Sequence, residues 1–494
     1  MPLGTETSLA SVTINHLPVE LLVEIIRELH RQPSLRPPWY HTTFVCRRWR
    51  AVVLGYAPFW TTIETTNLEQ AKAYLERSKV APLDLSIDDF PPEEDQRQIL
   101  ASLLSPHLHQ VEVLRVKVQH AEEVIQAQYL GSSFPILKSL YILSSWYDIN
   151  YEVDLPLHAP RLRNLQVNRA TLDWQSTLYK NLESLTLYHA FRAPPTLHQF
   201  LDILEACPSL SSLEIDGFEL DTPLPQEYRS IRLSHLNLCD ISGKQSHVAA
   251  LLPHIDLPSC ELFALRFMPP DRAQKSENLW VLPQDTNSRF PFIRQLVDAQ
   301  IISEKPSSID YNPYPVNITL TPEDSWMPMF TVSFPALISG LRPIIFDSAT
   351  AFIQSFDITV LRVEYDLTHV SHDTWLATLL SLPRLESLSV TGRTNDDDES
   401  LCVANLYMAL YAECPRQQVA CPRLDELYLA SLKFNLIIAS LLHSALKLRS
   451  LLGSRLQILS IDDWSPMGDV KPVWPDFSDV VDEFTETERL SNVI

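Results

Sequence analysis

Glycine is scarce in this 494-residue chain, at 9 residues, roughly 2% where about 7% is usual. Loops that cradle phosphates need glycine for close backbone approach, so nucleotide sites of that kind are disfavoured. No Walker loop, Gly-x-Gly-x-x-Gly, Gly-x-Ser-x-Gly or His-Glu-x-x-His occurs. The expectation is a chain with no catalytic residues and no cofactor. Basic residues are also short: 39 Lys and Arg against 61 Asp and Glu leave a net charge of −22. That balance disfavours nucleic acid and anionic membrane surfaces, since no basic stripe is available to release counterions. The longest apolar runs, such as Leu436 to Leu442, fall far below the roughly 18 residues a membrane span needs. No basic start followed by an apolar stretch precedes His16, so no secretory signal is expected and the cytosol or nucleus follows.

Cysteines at 46, 207, 239, 260, 402, 414 and 421 show no Cys-x-x-Cys and no pairing rhythm, which predicts reduced, buried thiols. His107-x-His109 and His369-x-x-His372 each offer two metal ligands without a third at a recognised spacing. Asp396 to Glu399 lacks the spacing and glycine of a calcium loop and reads as an exposed acidic loop. No metal is expected.

What the chain has instead begins near residue 15. Pro18 suits a first helical turn, with Glu20 near the positive end of the helix dipole. At 100° per residue Leu17, Leu21, Ile25 and Leu29 share about 120° of arc, and Leu22 and Ile26 widen it. Val45, Cys46, Trp49, Val52 and Val53 form a second apolar arc, with Arg47, Arg48 and Arg50 outside it. A unit of under 50 residues buries only about 60% of its chain surface alone, so this surplus of apolar surface points to a partner. Three blocks, Leu-Pro-x-Glu-Leu-Leu at 17–22, Val-Cys-Arg-Arg-Trp at 45–49 and Phe-Trp at 59–60, resemble the F-box. The resemblance implies docking on the Skp-type adaptor of a cullin-RING (SCF) ubiquitin ligase. The implied contacts are Leu17, Pro18, Leu21, Leu22, Ile25, Val45, Cys46 and Trp49. Pro33, Pro37 and Pro38 predict a short second helix.

Beyond this segment Leu-x-x-Leu-x-aliphatic or Phe recurs from Leu137, Leu162, Leu182, Leu210, Leu233, Leu262, Leu385, Leu424 and Leu456, with weaker copies at Val111 and Ile358. The early spacings match a leucine-rich repeat, whose Leu-x-aliphatic segment is a strand with one face in the core. Intervening segments read as helices: Thr196 caps one that carries Leu197, Phe200, Leu201 and Leu204 on one face. The position that holds Asn or Cys in regular repeats is occupied by Ser145, Ala170, Ala190, Phe218, Ile241, Pro270, Arg393, Leu432 and Trp464, so no Asn ladder can form and the array should be irregular. With Leu-Glu-Arg-Ser and Pro-Leu-Asp-Leu-Ser at 75–86, the chain resembles the F-box proteins with irregular leucine-rich repeats that are numerous in mushroom-forming fungi.

The fold class expected is thus α/β: a small N-terminal three-helix F-box, then an irregular, horseshoe-like leucine-rich-repeat solenoid. By residue, 1–14 is a tail, 15–63 the F-box, 64–105 a linker helix and first strand, and 106–267 repeats. A Pro-rich irregular insertion or elaborated repeats fill 268–335, repeats resume over 336–464, and 465–494 is an acidic tail. The implied function is a substrate receptor that binds the adaptor, through it a cullin, and an unknown protein target. Outward strand residues Tyr141, Gln166, Tyr188, Glu214, Arg266 and Tyr428 are the candidate target contacts. The alternative is a non-degradative scaffold.

Overall fold

The computed structural model describes residues 17–31, 39–88, 94–118, 133–144, 151–153, 157–191, 193–221, 229–268, 290, 296–303, 315–322, 330–335, 353, 356–392, 397–411, 419–467 and 473–488. The chain divides into two units, Met1–Arg192 and Ala193–Ile494, a division inside the 106–267 stretch and not at 63 or 105. Residues 1–14, the prolines of 32–38 and Ser145 lie outside the described residues.

The first unit opens with α1 (Val19–Arg31), a 3-10 helix (Trp39–Phe44), α2 (Arg47–Gly55) and a second 3-10 turn (Ala57–Trp60). The chain then enters β1 (Thr62–Glu64) and α3 (Leu68–Ser78), where the Asn67 side chain accepts from the Gln70 N–H at 3.0 Å as an N-cap. There follow β2 (Leu83–Asp88), α4 (Glu94–Leu104), β3 (Val111–Val118), β4 (Ser139–Ser144), β5 (Tyr151–Val153), β6 (Asn164–Asn168), β7 (Ala170–Leu172) and β8 (Ser184–Tyr188). Strands pair in parallel in the order β1-β2-β3-β4-β6-β8, with β5 and β7 as a separate parallel pair. The period-2 pattern explains the sheet: Leu140, Ile142, Leu165, Val167, Leu185 and Leu187 are buried on one face.

In the second unit, a helix at Leu197–Glu205 has the expected Thr196 cap, closed into a capping box with Gln199. The strands are β9 (Ser212–Phe218), β10 (Ile231–Arg232), β11 (Leu238–Gly243), β12 (Ile255–Asp256), β13 (Leu262–Phe267), β14 (Leu296–Ser303), β15 (Pro315–Pro322), β16 (Phe330–Pro335), β17 (Val360–Tyr365), β18 (Ser387–Gly392), β19 (Glu426–Ala430), β20 (Lys433–Phe434), β21 (Leu456–Pro466) and β22 (Val481–Glu488). The main sheet runs β9-β11-β13-β16-β15-β14-β17-β18-β19-β21-β22. Its pairs are parallel except those of β15, which is antiparallel to both neighbours. Helices at Gln245–Leu251, His372–Ser381, Ala404–Tyr411 and Leu436–Leu451 each bury an apolar face, while Leu436, Ile437, Leu441, Leu448 and Leu451 of the last remain exposed.

These elements make an α/β fold on large, mostly parallel sheet structure, and they overturn the expected three-helix module followed by a horseshoe-like solenoid. In place of a second α-helix there is a six-residue 3-10 helix, and the N-terminal helices lead directly into β1, which pairs with β2. They belong to an α/β unit and do not form a separate bundle. Farther on, strand order departs from chain order: β13 pairs with β16, and β14 with β17. A coil repeated in one direction cannot reverse in this way. The alternation reports an inward face for each strand but not which strand lies beside it.

Two motif copies are also out of register. Cys239 pairs with Leu213 on one side and Phe263 on the other, and all three are buried. The structural equivalents of Leu210 are therefore Leu236 and Cys260, both buried, instead of Leu233 and Leu262, and Leu262 is exposed. Cysteine fills an aliphatic position, as a small apolar residue can. The 268–335 stretch, read as an irregular insertion or elaborated repeats, supplies β14, β15 and β16. The crossings from β13 to β14 and from β16 to β17 each pass three strand spacings, about 14 Å, which is why the motif rhythm lapses there. The acidic tail read at 465–494 contains edge strand β22, held by Phe477, Val480 and Val481, all buried. Trp464 and Trp474 meet edge to face at 5.2 Å, and Phe477 lies 4.8 Å from Phe484. Asp397–Cys402, which takes in Asp397 to Glu399 of the expected acidic loop, is helical.

A bulge in β9 sets one tight contact. Ile215 pairs with Ile241 and Phe218 with Gly243, leaving one more residue on β9, and Gly217 there takes a φ of 79°. A Cβ on Gly243 would lie 2.5 Å from the Phe218 carbonyl oxygen. Gly243→Ala should destabilise the protein by about 1–3 kcal/mol, read as a lower urea midpoint. Arg449, fully buried, donates to the carbonyls of Leu410 at 3.3 Å, Ala420 at 2.7 Å and Cys421. Burial pushes its guanidinium down to about 10, so it stays charged at neutral pH. Arg449→Met should cost about 3 kcal/mol or more in the same measurement, because three carbonyls lose their donor.

Candidate functional site

The N-terminal helices have two apolar faces with different fates. Leu22, Val23 and Ile26 of α1 pack in one buried cluster with Trp49, Val53, Phe59 and Trp60. Leu17 and Cys46 lie half-buried against that cluster. The backbone is pinned at the start of α1: the Leu22 N–H donates to the Pro18 carbonyl at 3.2 Å, and the Arg48 guanidinium donates to the Leu17 carbonyl. Arg27 pairs with Glu24 and donates to the Tyr56 hydroxyl at 2.7 Å, tying α1 to the end of α2.

The other face is uncovered. Leu21, Ile25 and Leu29, at i, i+4 and i+8, are 50%, 38% and 36% exposed. Phe44, which ends the 3-10 helix, and Val45, which follows it, are 73% and 59% exposed, and Pro18 is exposed as well. Of the eight expected adaptor contacts, Leu22 and Trp49 are core side chains: they support the surface from behind and cannot form part of it. Leu21, Ile25, Val45 and Pro18 do face outward, and Leu29 and Phe44 join them. Their signal in the sequence was the four-residue spacing for Leu29 and the neighbouring Val45 for Phe44.

The six candidate target contacts separate into three groups. In the first unit Tyr141 and Gln166 are register partners, and Tyr188 pairs with Asn168 on the next strand. Arg115, unmarked in the sequence, is the register partner of Tyr141, lies 5.1 Å over its ring and pairs with Asp84. Desolvation pushes the Asp84 carboxyl up, against the pull of Arg115. In the second unit Glu214 is the register partner of Asp240, which Arg266 contacts at 2.8 Å. Desolvation raises Asp240, with Arg266 opposing and Glu214 and Asp216 reinforcing the shift. Tyr428 stands apart on β19, where burial and then Glu426, Glu483 and Asp462 hold its hydroxyl protonated.

Among the described residues no three His, Cys, Asp or Glu side chains converge as a metal site. Burial pushes the Cys260 and Cys421 thiols up to about 12 and Cys239 well above its ordinary value, which keeps them poor nucleophiles. Among the described residues no helix is long and apolar enough to cross a membrane. No family model matches the chain, and no curated protein matches it.

The two faces of α1 should respond differently to truncation. Leu22→Ala should destabilise the protein by about 2–5 kcal/mol, whereas Leu21→Ser should stay within about 0.5 kcal/mol, both read from urea unfolding.

Proposed function

We propose that this chain is a non-catalytic receptor of the cytosol or nucleus. In this reading the outward stripe of α1, with Val45 and Phe44, docks on the Skp-type adaptor of a cullin-RING ubiquitin ligase. The polar strand faces that carry Tyr141, Gln166, Tyr188, Glu214, Arg266 and Tyr428 bind a protein target. The contribution to rate is positioning the target near the ubiquitin-loaded partner. The observation that carries the proposal is the exposure of Leu21, Ile25 and Leu29 on a helix whose opposite face is already buried. A helix that buries one apolar face in its own core and presents a second is built to lie in another protein's groove.

The test is surface plasmon resonance of the purified full chain against a recombinant adaptor–cullin pair. The wild type should bind, and Leu21→Asp/Ile25→Asp should weaken binding by about a thousandfold, at roughly 2 kcal/mol for each lost anchor. Both substitutions are at exposed positions, so the melting temperature should not change. A double variant that binds as the wild type does, or a wild type that does not bind, would refute the docking assignment.

A further inference from the structure

A cleft of about 340 Å³ opens in the first unit between the 3-10 helix at Trp39–Phe44, α2 and α3. Tyr40, Phe44, Trp60 and Tyr74 give it aromatic walls, and Arg50 and Arg77 bring two guanidinium groups to it. Among the described residues no carboxylate lines it. Neither arginine forms an ion pair among the described residues, in a chain whose net charge is −22. Two uncompensated cations in one cleft of so acidic a protein form a local inversion of charge.

The walls are fixed in place. The Trp60 indole N–H donates to the Val53 carbonyl at 2.9 Å, so the ring cannot turn away. Arg77 lies 4.4 Å over that ring, and Tyr74 meets it edge to face at 4.8 Å. A guanidinium held over an indole ring still has N–H donors to offer a planar or tetrahedral anion. Burial pushes the Tyr74 hydroxyl up and Gln70 bonds to it, so it remains neutral and adds no negative charge; Glu64 acts on it from outside the lining. The volume lies at the small end of ligand pockets, enough for one ring and its substituent and too little for a folded segment.

The geometry points to a binding site for a small aryl anion, a phosphate or carboxylate carried on an aromatic ring, with the ring against Tyr40, Phe44 and Tyr74, which line the cleft beside the buried Trp60, and the anion between Arg50 and Arg77. The cleft shares Phe44 with the proposed docking surface, but its ligand is a small molecule and its test variants, at Arg50 and Arg77, lie off the Leu21–Leu29 stripe. Each can therefore fail alone.

Saturation-transfer NMR on the full chain tests it with phenyl phosphate, benzoate and benzyl alcohol, and with inorganic phosphate as competitor. One of the two aryl anions should bind with a sub-millimolar Kd, and the tighter of them identifies the headgroup. Benzyl alcohol should bind more than about tenfold more weakly, and inorganic phosphate should compete only at much higher concentration. Arg50→Gln and Arg77→Gln should each weaken the anion by about tenfold or more. Arg50 is exposed and outside the stack, so its variant keeps the fold should Arg77→Gln disturb it. Absence of saturation from both anions, equal binding of the neutral alcohol, or undiminished binding to Arg50→Gln would overturn the assignment.

Discussion

In a parallel pair no tight hairpin fixes how two strands align, so alignment has to come from the side chains they bury. The second unit meets this demand with rows of buried register partners: Ile215, Ile241 and Leu265 on one side of β16, and Ile318, Ile301, Val363, Val390, Leu429 and Ile461 on the other. A slip of one residue anywhere would turn that strand's aliphatics to the polar side. The outward residues inherit their order from these rows, since Glu214 stands beside Asp240, and Tyr428 beside Ser460, only because the inward neighbours are locked. The same constraint explains how β15 sits antiparallel without disturbing the core: Ile318 and Leu320 still point inward and are buried.

Strand faces were legible because period 2 is local. Leu140 and Ile142, or Leu388 and Val390, declare themselves within four residues, and the Thr196 cap within four more. The lateral order was not legible, because pairing β13 with β16 depends on residues far apart in the chain. Where a cysteine replaced leucine, as at Cys239 and Cys260, a pattern tuned to leucine chose Leu233 and Leu262 and lost the register. Counting acidic residues hid β22, whose only apolar positions are Val481 and Phe484.

The apolar arc of α1 was legible in its spacing and misjudged in its depth. Helical periodicity placed Leu17 to Leu29 on one broad arc, but an arc of that width has two sides. Which side meets the protein's own core was decided by Trp49, Phe59 and Trp60, and those contacts are tertiary. The aromatic cleft left no sequence signal at all, because Arg50 and Arg77 come from different helices and meet only once α2 and α3 pack around Trp60.

The strand exchange between β13 and β17 obeys a parity rule. The strands spliced in there alternate in direction, yet both outer ones, β16 and β14, run with the flanking sheet. Only an odd number of alternating strands can do this; an even number would hand the sheet back with its polarity inverted. Over evolution this locus can lengthen or shorten only by whole hairpins, while a connecting loop elsewhere is free to change one residue at a time.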